Sequence, residues 1–331
     1  MKALIPVAGI GSRLRPHTHT QPKSLIPVAG KPILAHIVDS LIAVGIDEFV
    51  FIIGYLGDKI EQYISVSYPN IKSFFVVQSD GKGTGHAIWL AQDLLNDNEP
   101  VFIVFGDTII QADLNQIATS TKSLLGVKRV DDPREFGVAE IEDSGLIIRL
   151  VEKPNIPKSN QALVGIYKIC ETKQLKQALN YNIENGILTR GEYQLTDALM
   201  RMINSGVKMH AFDVDGWFDC GKKDILLETN AILLKGKEYV RAVSADYEST
   251  IIIDPVYIGQ HSKISNSIIG PNVSIGDNVI VDYSIIRNSI IGPYSHLDNA
   301  NLDNSVIGND ASLHGISLSL NLGDSTEINF G

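Results

Sequence analysis

Short, almost unbroken apolar runs alternate with amphipathic stretches along the first 235 residues of this chain. The runs at residues 4–7, 49–53, 74–77 and 101–105 have strand length and are rich in Val, Ile and Phe. Apolarity on both faces of a strand predicts cover on both sides, the environment of a parallel sheet. Between these runs, residues 33–44, 58–65 and 84–95 carry helical spacing. Strand–helix–strand alternation of this kind predicts a doubly wound, Rossmann-like α/β sheet. Further strands are expected at 124–130, 138–142, 147–151 and 163–169, then helices at 194–203 and 223–234. This second block is expected to extend the sheet and to supply a second ligand-facing lobe.

The pattern changes beyond about residue 250. Helical spacing disappears, and an aliphatic residue followed by glycine recurs at Ile258, Ile269, Ile275, Ile291, Ile307 and Leu322. Ile264, Val281, Leu297 and Leu313 each follow such an aliphatic by six residues. A six-residue period predicts a parallel β-helix, each coil stacking on the last to bury an aliphatic column. The period breaks near 265–267 and 283–284, so irregular coils are expected, about four or five of them. Asn and Asp recur in the short turns, as left-handed backbone at coil corners requires.

Composition narrows the class. The chain has 331 residues, 44% hydrophobic and 20% charged, as expected of a globular protein of about two domains. Its formal net charge is −10. That balance argues against a nucleic-acid partner, which normally meets a basic face. The charge is uneven: from residue 250 onward Lys263 and Arg287 stand against eight acids, leaving the first 249 residues nearly balanced. Two cysteines, Cys170 and Cys220, allow no disulfide framework and fit no metal-ligand spacing. No apolar run reaches the roughly 18–20 residues of a membrane span, and no membrane partner is expected. The apolar start is shorter than a secretory signal, so a reducing, cytoplasmic location is expected.

The first chemical signal is Gly9-Ile10-Gly11-Ser12-Arg13-Leu14-Arg15-Pro16, which follows an expected strand. Two glycines allow a tight turn and close backbone approach to phosphate oxygens, while amide groups and Arg13 offer donors. A Gly-rich loop after a strand is as often only a turn. This one lacks the Lys-Ser/Thr ending of a P-loop and the third glycine of a dinucleotide fingerprint. Gln21-Pro22-Lys23-Ser24-Leu25-Ile26-Pro27-Val28 and Gly30-Lys31-Pro32 then place two lysines in proline-stiffened loops.

At this point the chain resembles the sugar-1-phosphate nucleotidyltransferases. Their opening motif runs Gly-x-Gly-Thr/Ser-Arg-Leu, Pro-Lys, then Lys-Pro. The resemblance continues in order. Gln78-Ser79-Asp80-Gly81-Lys82-Gly83-Thr84-Gly85-His86-Ala87 is similar to the base-recognition segment, and Phe105-Gly106-Asp107 to the strand-ending Gly-Asp. Phe136-Gly137-Val138 and Glu152-Lys153-Pro154 match the sugar and phosphate segments. Val164-Gly165-Ile166-Tyr167, Gly191-Glu192-Tyr193-Gln194-Leu195-Thr196-Asp197 and Trp217-Phe218-Asp219-Cys220-Gly221 complete the series. The resemblance implies a nucleotidyltransferase catalytic domain over residues 1–240. A short left-handed β-helix of hexapeptide repeats is then expected over 241–331.

It also implies a chemistry. A sugar-1-phosphate attacks the α-phosphate of a nucleoside triphosphate and expels pyrophosphate. Two polyanions must meet, so charge has to be screened and the attacking oxygen aligned with the departing one. By resemblance, Arg13 stabilises charge at the triphosphate, Lys23 the α-phosphate region, and Lys153 the sugar phosphate. Asp107 and Asp219 would hold Mg²⁺, a hard ion that prefers carboxylate and phosphate oxygens. A lone aspartate is more often a turn or cap residue; the pair at family positions favours metal binding. Ala8, Gly9, Gly11, Ser12, Gln78, Gly83 and Thr84 are the expected nucleotide contacts, Gln78 facing a pyrimidine edge. Gly137, Glu152 and Val164 are the expected sugar contacts. His86 is given no catalytic role, and His17 and His19 are read as loop polars.

Within the family, the pattern is most similar to long-form glucose-1-phosphate thymidylyltransferases, whose terminus resembles residues 318–328 here. The expected reaction is transfer from dTTP or UTP to glucose-1-phosphate. Ala8-Gly9 stands where thymidylyltransferases usually carry Gly-Gly. Gly83-Thr84-Gly85-His86-Ala87 looks like the uridylyltransferases that use N-acetylglucosamine-1-phosphate. Three alternatives stay open: a uridylyltransferase for that or another sugar-1-phosphate, an acetyltransferase-like tail with His261, His296 or His314 as base, and a non-catalytic regulatory subunit. The blander role for the tail is packing or assembly, and a homo-oligomer is expected.

Overall fold

In the computed structural model, which describes residues 1–236, 247–315 and 319–329, the chain forms two compact units. One comprises Met1–Gly9 and Ile37–Trp217, the other Ile10–His36 and Phe218–Gly331. The expected domain boundary at residue 240 lies outside the described residues, as does Leu318 of the closing motif.

The first unit is built on a nine-stranded sheet. Its order runs Ile147–Glu152, Gly137–Ile141, Gln161–Ile169, Val101–Val104, Lys2–Pro6, Glu48–Ile53, Lys72–Val77. The last four are parallel, as their continuous apolarity predicts. Phe49, Phe51 and Phe102 are completely buried, as strands covered on both faces require. Elsewhere the sheet is mixed, the later strands extending it as expected but partly antiparallel. Gln161–Ile169 runs antiparallel to Val101–Val104, and Ser123–Arg129 pairs with it before Met209–Asp213 adds in parallel. Apolar runs report burial and not direction, so pattern alone could not distinguish the two halves.

Helices Thr84–Leu90, Thr172–Glu184 and Leu195–Asn204 contribute to the main core, where Ile88, Leu175, Ala198 and Leu199 meet Leu4, Ile103 and Leu163. The helix expected over 84–95 ends at Leu90 and continues as a separate 3-10 turn, Gln92–Leu94. Two helices, Leu114–Thr119 and Thr172–Glu184, were not anticipated. Among the described residues no helix is long and apolar enough to cross a membrane.

In the second unit, short parallel strands stack into three ladders, consistent with a left-handed β-helix. One inward column runs Ile258, Ile275, Ile291, Ile307, Leu322, so successive coils advance by 17, 16, 16 and 15 residues. Three six-residue steps would need 18. In the first three coils the deficit arises where Ile264 passes to Ile269, Val281 to Ile286, Ile286 to Ile291, Leu297 to Leu302 and Leu302 to Ile307, steps of five residues that still return an aliphatic to the core. Corners adopt left-handed backbone at Asn266, Asn272, Asn278, Asn288, Asn299, Asn304 and Asp310. Asn and Asp tolerate this region because their short side chains bond locally. Here they also bond between coils: Asn272 Nδ2 donates to Asn288 Oδ1, and Asn288 Nδ2 to Asp303 Oδ1, both at 2.9 Å.

Candidate active site

Strand order in the first unit reverses between Lys2–Pro6 and Val101–Val104, and open α/β sheets bind ligands beyond the carboxyl ends of strands at such a point. Ala8 and Gly9 extend from the first strand, Gly106 and Asp107 from the second. The two ends are locked together, since Gly106 N–H donates to the Pro6 carbonyl at 3.2 Å. A Cβ at Gly106 would stand 2.1 Å from Val7 Cγ1, so this approach excludes any other residue. Asp107 is half-buried, and the Thr108 hydroxyl donates to its Oδ1 at 3.1 Å.

Gln78 follows the strand Lys72–Val77, its N–H bonded to the Ile53 carbonyl at 2.8 Å. The side chain is buried. Its Nε2 donates to the Gly83 carbonyl and to His86 Nδ1, both at 3.1 Å. A carbonyl can face only the donor end of an amide, which orients Gln78 and leaves its Oε1 to accept from a base N–H. Burial lowers the pKa of His86 below the ordinary histidine value, which favours the neutral ring that can accept this bond. Gly83 has φ +98°, and a Cβ there would lie 2.5 Å from the Tyr193 carbonyl. Just beyond, Gly85 N–H donates to that carbonyl at 2.8 Å, and Leu195 N–H to Thr84 Oγ1 at 3.2 Å. The segment around Tyr193, read in the sequence without a role, thus forms the floor beneath the turn at Gly83.

Glu152 ends the strand Ile147–Glu152, and Gly137 is its direct cross-strand partner. Thr196 Oγ1 donates to Glu152 Oε2 at 2.7 Å. Lys153 Nζ lies 3.8 Å from Glu152 Oε1, and the Lys153 backbone holds a left-handed φ of +41°. Two contacts hold that backbone: Lys153 N–H donates to the Phe136 carbonyl at 3.0 Å, and Arg190 Nη2 to the Lys153 carbonyl at 2.8 Å. Trp217 closes on Phe136 edge to face, 4.7 Å between centroids. Val164 is 2% exposed, so it offers a backbone group and not a side chain. The strand pairing shifts register between Leu163 and Tyr167, and Gly165 there accepts the Phe105 N–H at 2.9 Å. Thr196 and Arg190 were missed in the sequence, although Thr196 lies inside a quoted motif.

The second unit holds the remaining cations. Gly11, at φ +68°, starts the 3-10 turn Ser12–Leu14, and Thr18 Oγ1 donates to its carbonyl at 2.9 Å. Ser12 and Arg13 are exposed. Lys23 is 8% exposed, and its Nζ lies 3.5 Å from Asp219 Oδ1. Arg13 Nη2 lies 3.9 Å from the other oxygen of the same carboxylate. His17, also buried, contacts Asn321 through its Nε2 and holds no ligand-like position. On the coils, the rings of His296 and His314 lie 5.2 Å apart, while His261 is an exposed corner.

Among the described residues no three His, Cys, Asp or Glu side chains are grouped to hold a metal alone. Mg²⁺ is commonly bound by one or two carboxylates with substrate phosphates and water completing the shell, so Asp107 and Asp219 have suitable chemistry.

The nucleotidyl transferase family profile matches residues 2–236. A glucose-1-phosphate thymidylyltransferase of Streptomyces griseus is 30% identical over 315 residues, covering 88% of this chain and 87% of that protein. The bifunctional protein GlmU of Methanocaldococcus jannaschii is 37% identical over 238 residues, covering 71% of this chain and 54% of its own length. A Bacillus anthracis structure described as a glucose-1-phosphate thymidylyltransferase, in complex with a sucrose, aligns with TM-score 0.60 at 30% identity. It covers 70% of this chain and 94% of that one.

Proposed function

The chain belongs to the nucleotidyl transferase family as a sugar-1-phosphate nucleotidyltransferase, and on that premise we propose that it transfers a nucleotidyl group from dTTP or UTP to glucose-1-phosphate. The products are dTDP-glucose or UDP-glucose and pyrophosphate. The sugar phosphate oxygen forms a bond to the α-phosphorus as the bond from that phosphorus to the bridging oxygen breaks. No covalent enzyme intermediate is needed.

The observation that carries this reading is the pairing of Lys23 and Arg13 on one carboxylate, Asp219. Asp219 gathers both cations in one place, and in this reading they screen phosphate charge there. An arriving triphosphate competes for both, and the two donors are already oriented when it does. Lys153 has the charge to receive the sugar phosphate. Glu152, anchored through one oxygen by Thr196, can accept from sugar hydroxyls through the other. Oε1 of Gln78 suits the N–H of a pyrimidine ring. Asp107 and Asp219 are the proposed ligands of Mg²⁺, which when bound screens the phosphates and polarises them toward attack. Catalysis is assigned to residues 1–240, with residues 241–331 in a structural role and homo-oligomer assembly part of the same reading.

A second reading is favoured by His86, whose contact with Gln78 builds the uridylyltransferase-like segment into the base reader. In that reading UTP and N-acetylglucosamine-1-phosphate are the substrates. Pyrophosphate release from four nucleotides against glucose-, mannose- and N-acetylglucosamine-1-phosphate, with and without Mg²⁺, separates the two. Release from dTTP and UTP with glucose-1-phosphate is expected. Preference for UTP with the acetylated sugar selects the second reading, and no release from any pair overturns both.

A further inference from the structure

The segment that carries Arg13 and Lys23 belongs to the same compact unit as the tail, and their contacts form a closed circuit. Thr20 Oγ1 donates to Asp324 Oδ2. The other oxygen of Asp324 accepts the backbone N–H of Asn309 at 2.9 Å. Asn309 Nδ2 then donates at 3.0 Å to Gln21 Oε1, on the residue adjacent to Thr20. Gln21 closes the device on the loop itself, because its Nε2 donates to the Leu25 carbonyl at 2.6 Å, spanning the turn that contains Lys23. On the other side, His17 meets Asn321, and Pro16 packs on Gly323, whose missing Cβ leaves room for it.

We propose that the last coil of the tail is a positioning element for the phosphate-binding loop, with Asp324 and Asn309 as positioning residues acting through Thr20 and Gln21. This inference rests on the catalytic assignment of Arg13 and Lys23 above. Its physical basis is the sharing of one carboxylate between two segments. Asp324 joins a rung of the β-helix to a loop that is otherwise a series of single 3-10 turns, Ser12–Leu14, His17–His19 and Lys23–Leu25. Isolated turns supply little rigidity of their own, because each fixes several dihedrals for one hydrogen bond. A stacked coil, held by parallel ladders and a buried aliphatic column, can lend it. The coil touches no reacting atom. It sets where Lys23 points.

The test uses the full-length enzyme with Asp324→Ala on the tail side and Thr20→Val on the loop side. Hydrogen–deuterium exchange over residues 10–25 is read beside kcat, the KM for the nucleoside triphosphate, and the thermal midpoint. Both variants should accelerate exchange in that loop and lower kcat about 10-fold or more, since small misplacements of a catalytic group are costly. KM should change much less, with the thermal midpoint within a few degrees of wild type. The double variant should lose no more than either single one, because both cut the same link. Unchanged loop exchange in both variants overturns the inference whatever the activity. So does faster exchange with normal kcat. Absence of pyrophosphate release from the wild type counts against the catalytic reading instead, and the exchange measurement still decides whether the coil holds the loop.

Discussion

Lys23 directs its ammonium to within 3.5 Å of Asp219, across 196 positions of sequence. Lysine is almost never this buried without a partner, and Lys23 is 8% exposed. Asp219 is a charged partner of that ammonium, and the proposed function gives phosphate to the lysine and Mg²⁺ to the carboxylate.

Asp219→Asn keeps the shape of the side chain and removes its charge. Turnover should fall at least about 10²-fold, the scale seen when one electrostatic stabiliser of a charged transition state is removed. Thermal stability should fall as well, since the substitution removes a charged partner of the buried Lys23, while the exposed pair with Arg13 contributes little. Pyrophosphate release across a Mg²⁺ titration, with a melting curve, checks both. Near-normal Mg²⁺-dependent activity would remove Asp219 from the metal assignment.

Gln78→Ala should act on choice of nucleotide more than on rate. The buried amide is oriented by Gly83 and His86. Its loss should relax discrimination between dTTP and GTP by about 1–3 kcal/mol, the scale of one good amide-to-base hydrogen-bonding pair. Competition between the two nucleotides measures the ratio. An unchanged ratio places base recognition elsewhere.

Gly83→Ala tests the turn itself. At φ +98° with Tyr193 O only 2.5 Å from the new Cβ, the substitution strains the backbone and separates two segments. A loss of about 1–3 kcal/mol in urea unfolding is expected, with weaker nucleotide binding. A variant as stable as the wild type would show that the turn can relax without cost.

The acid dependence of stability should contain a signature of His17. Burial lowers its pKa, partly opposed by the hydrogen bond to Asn321 and the nearby charge of Asp324. The folded state therefore binds this proton more weakly than the unfolded chain, whose histidine titrates near 6.5. The stability contributed by neutral His17 is complete above that value and is lost as pH falls through the lowered folded value. Urea midpoints of wild type and His17→Gln at about pH 5 and pH 8 measure the difference. The wild type should lose more stability on acidification than the variant, and parallel losses would contradict the assignment.

Much of this was legible in the residues themselves. Strand, helix and coil periods were, because each is a property of a few consecutive dihedrals and of which side chains face inward. The glycines at 9 and 11 and the Gly-Asp strand end were also visible, and at Gly106 the approach of strand to strand is what leaves no room for a Cβ. Thr196 beneath Glu152 and the role of Tyr193 under Gly83 were not. A hydroxyl that serves Glu152 from 44 positions away, or a carbonyl that accepts from Gly85 out of a distant segment, leaves no local periodicity.

Sequence alone thus determined the classes of local structure, the inventory of charged and glycine positions, and the family. Tertiary structure decided strand direction in half the sheet, which end of the Gln78 amide is held by Gly83 and His86, and the joining of His17 to Asn321 over 304 positions. The reason is physical. Patterns of burial constrain each residue against a generic interior, whereas a buried polar group needs one particular partner, and only the folded chain says which residue arrives there.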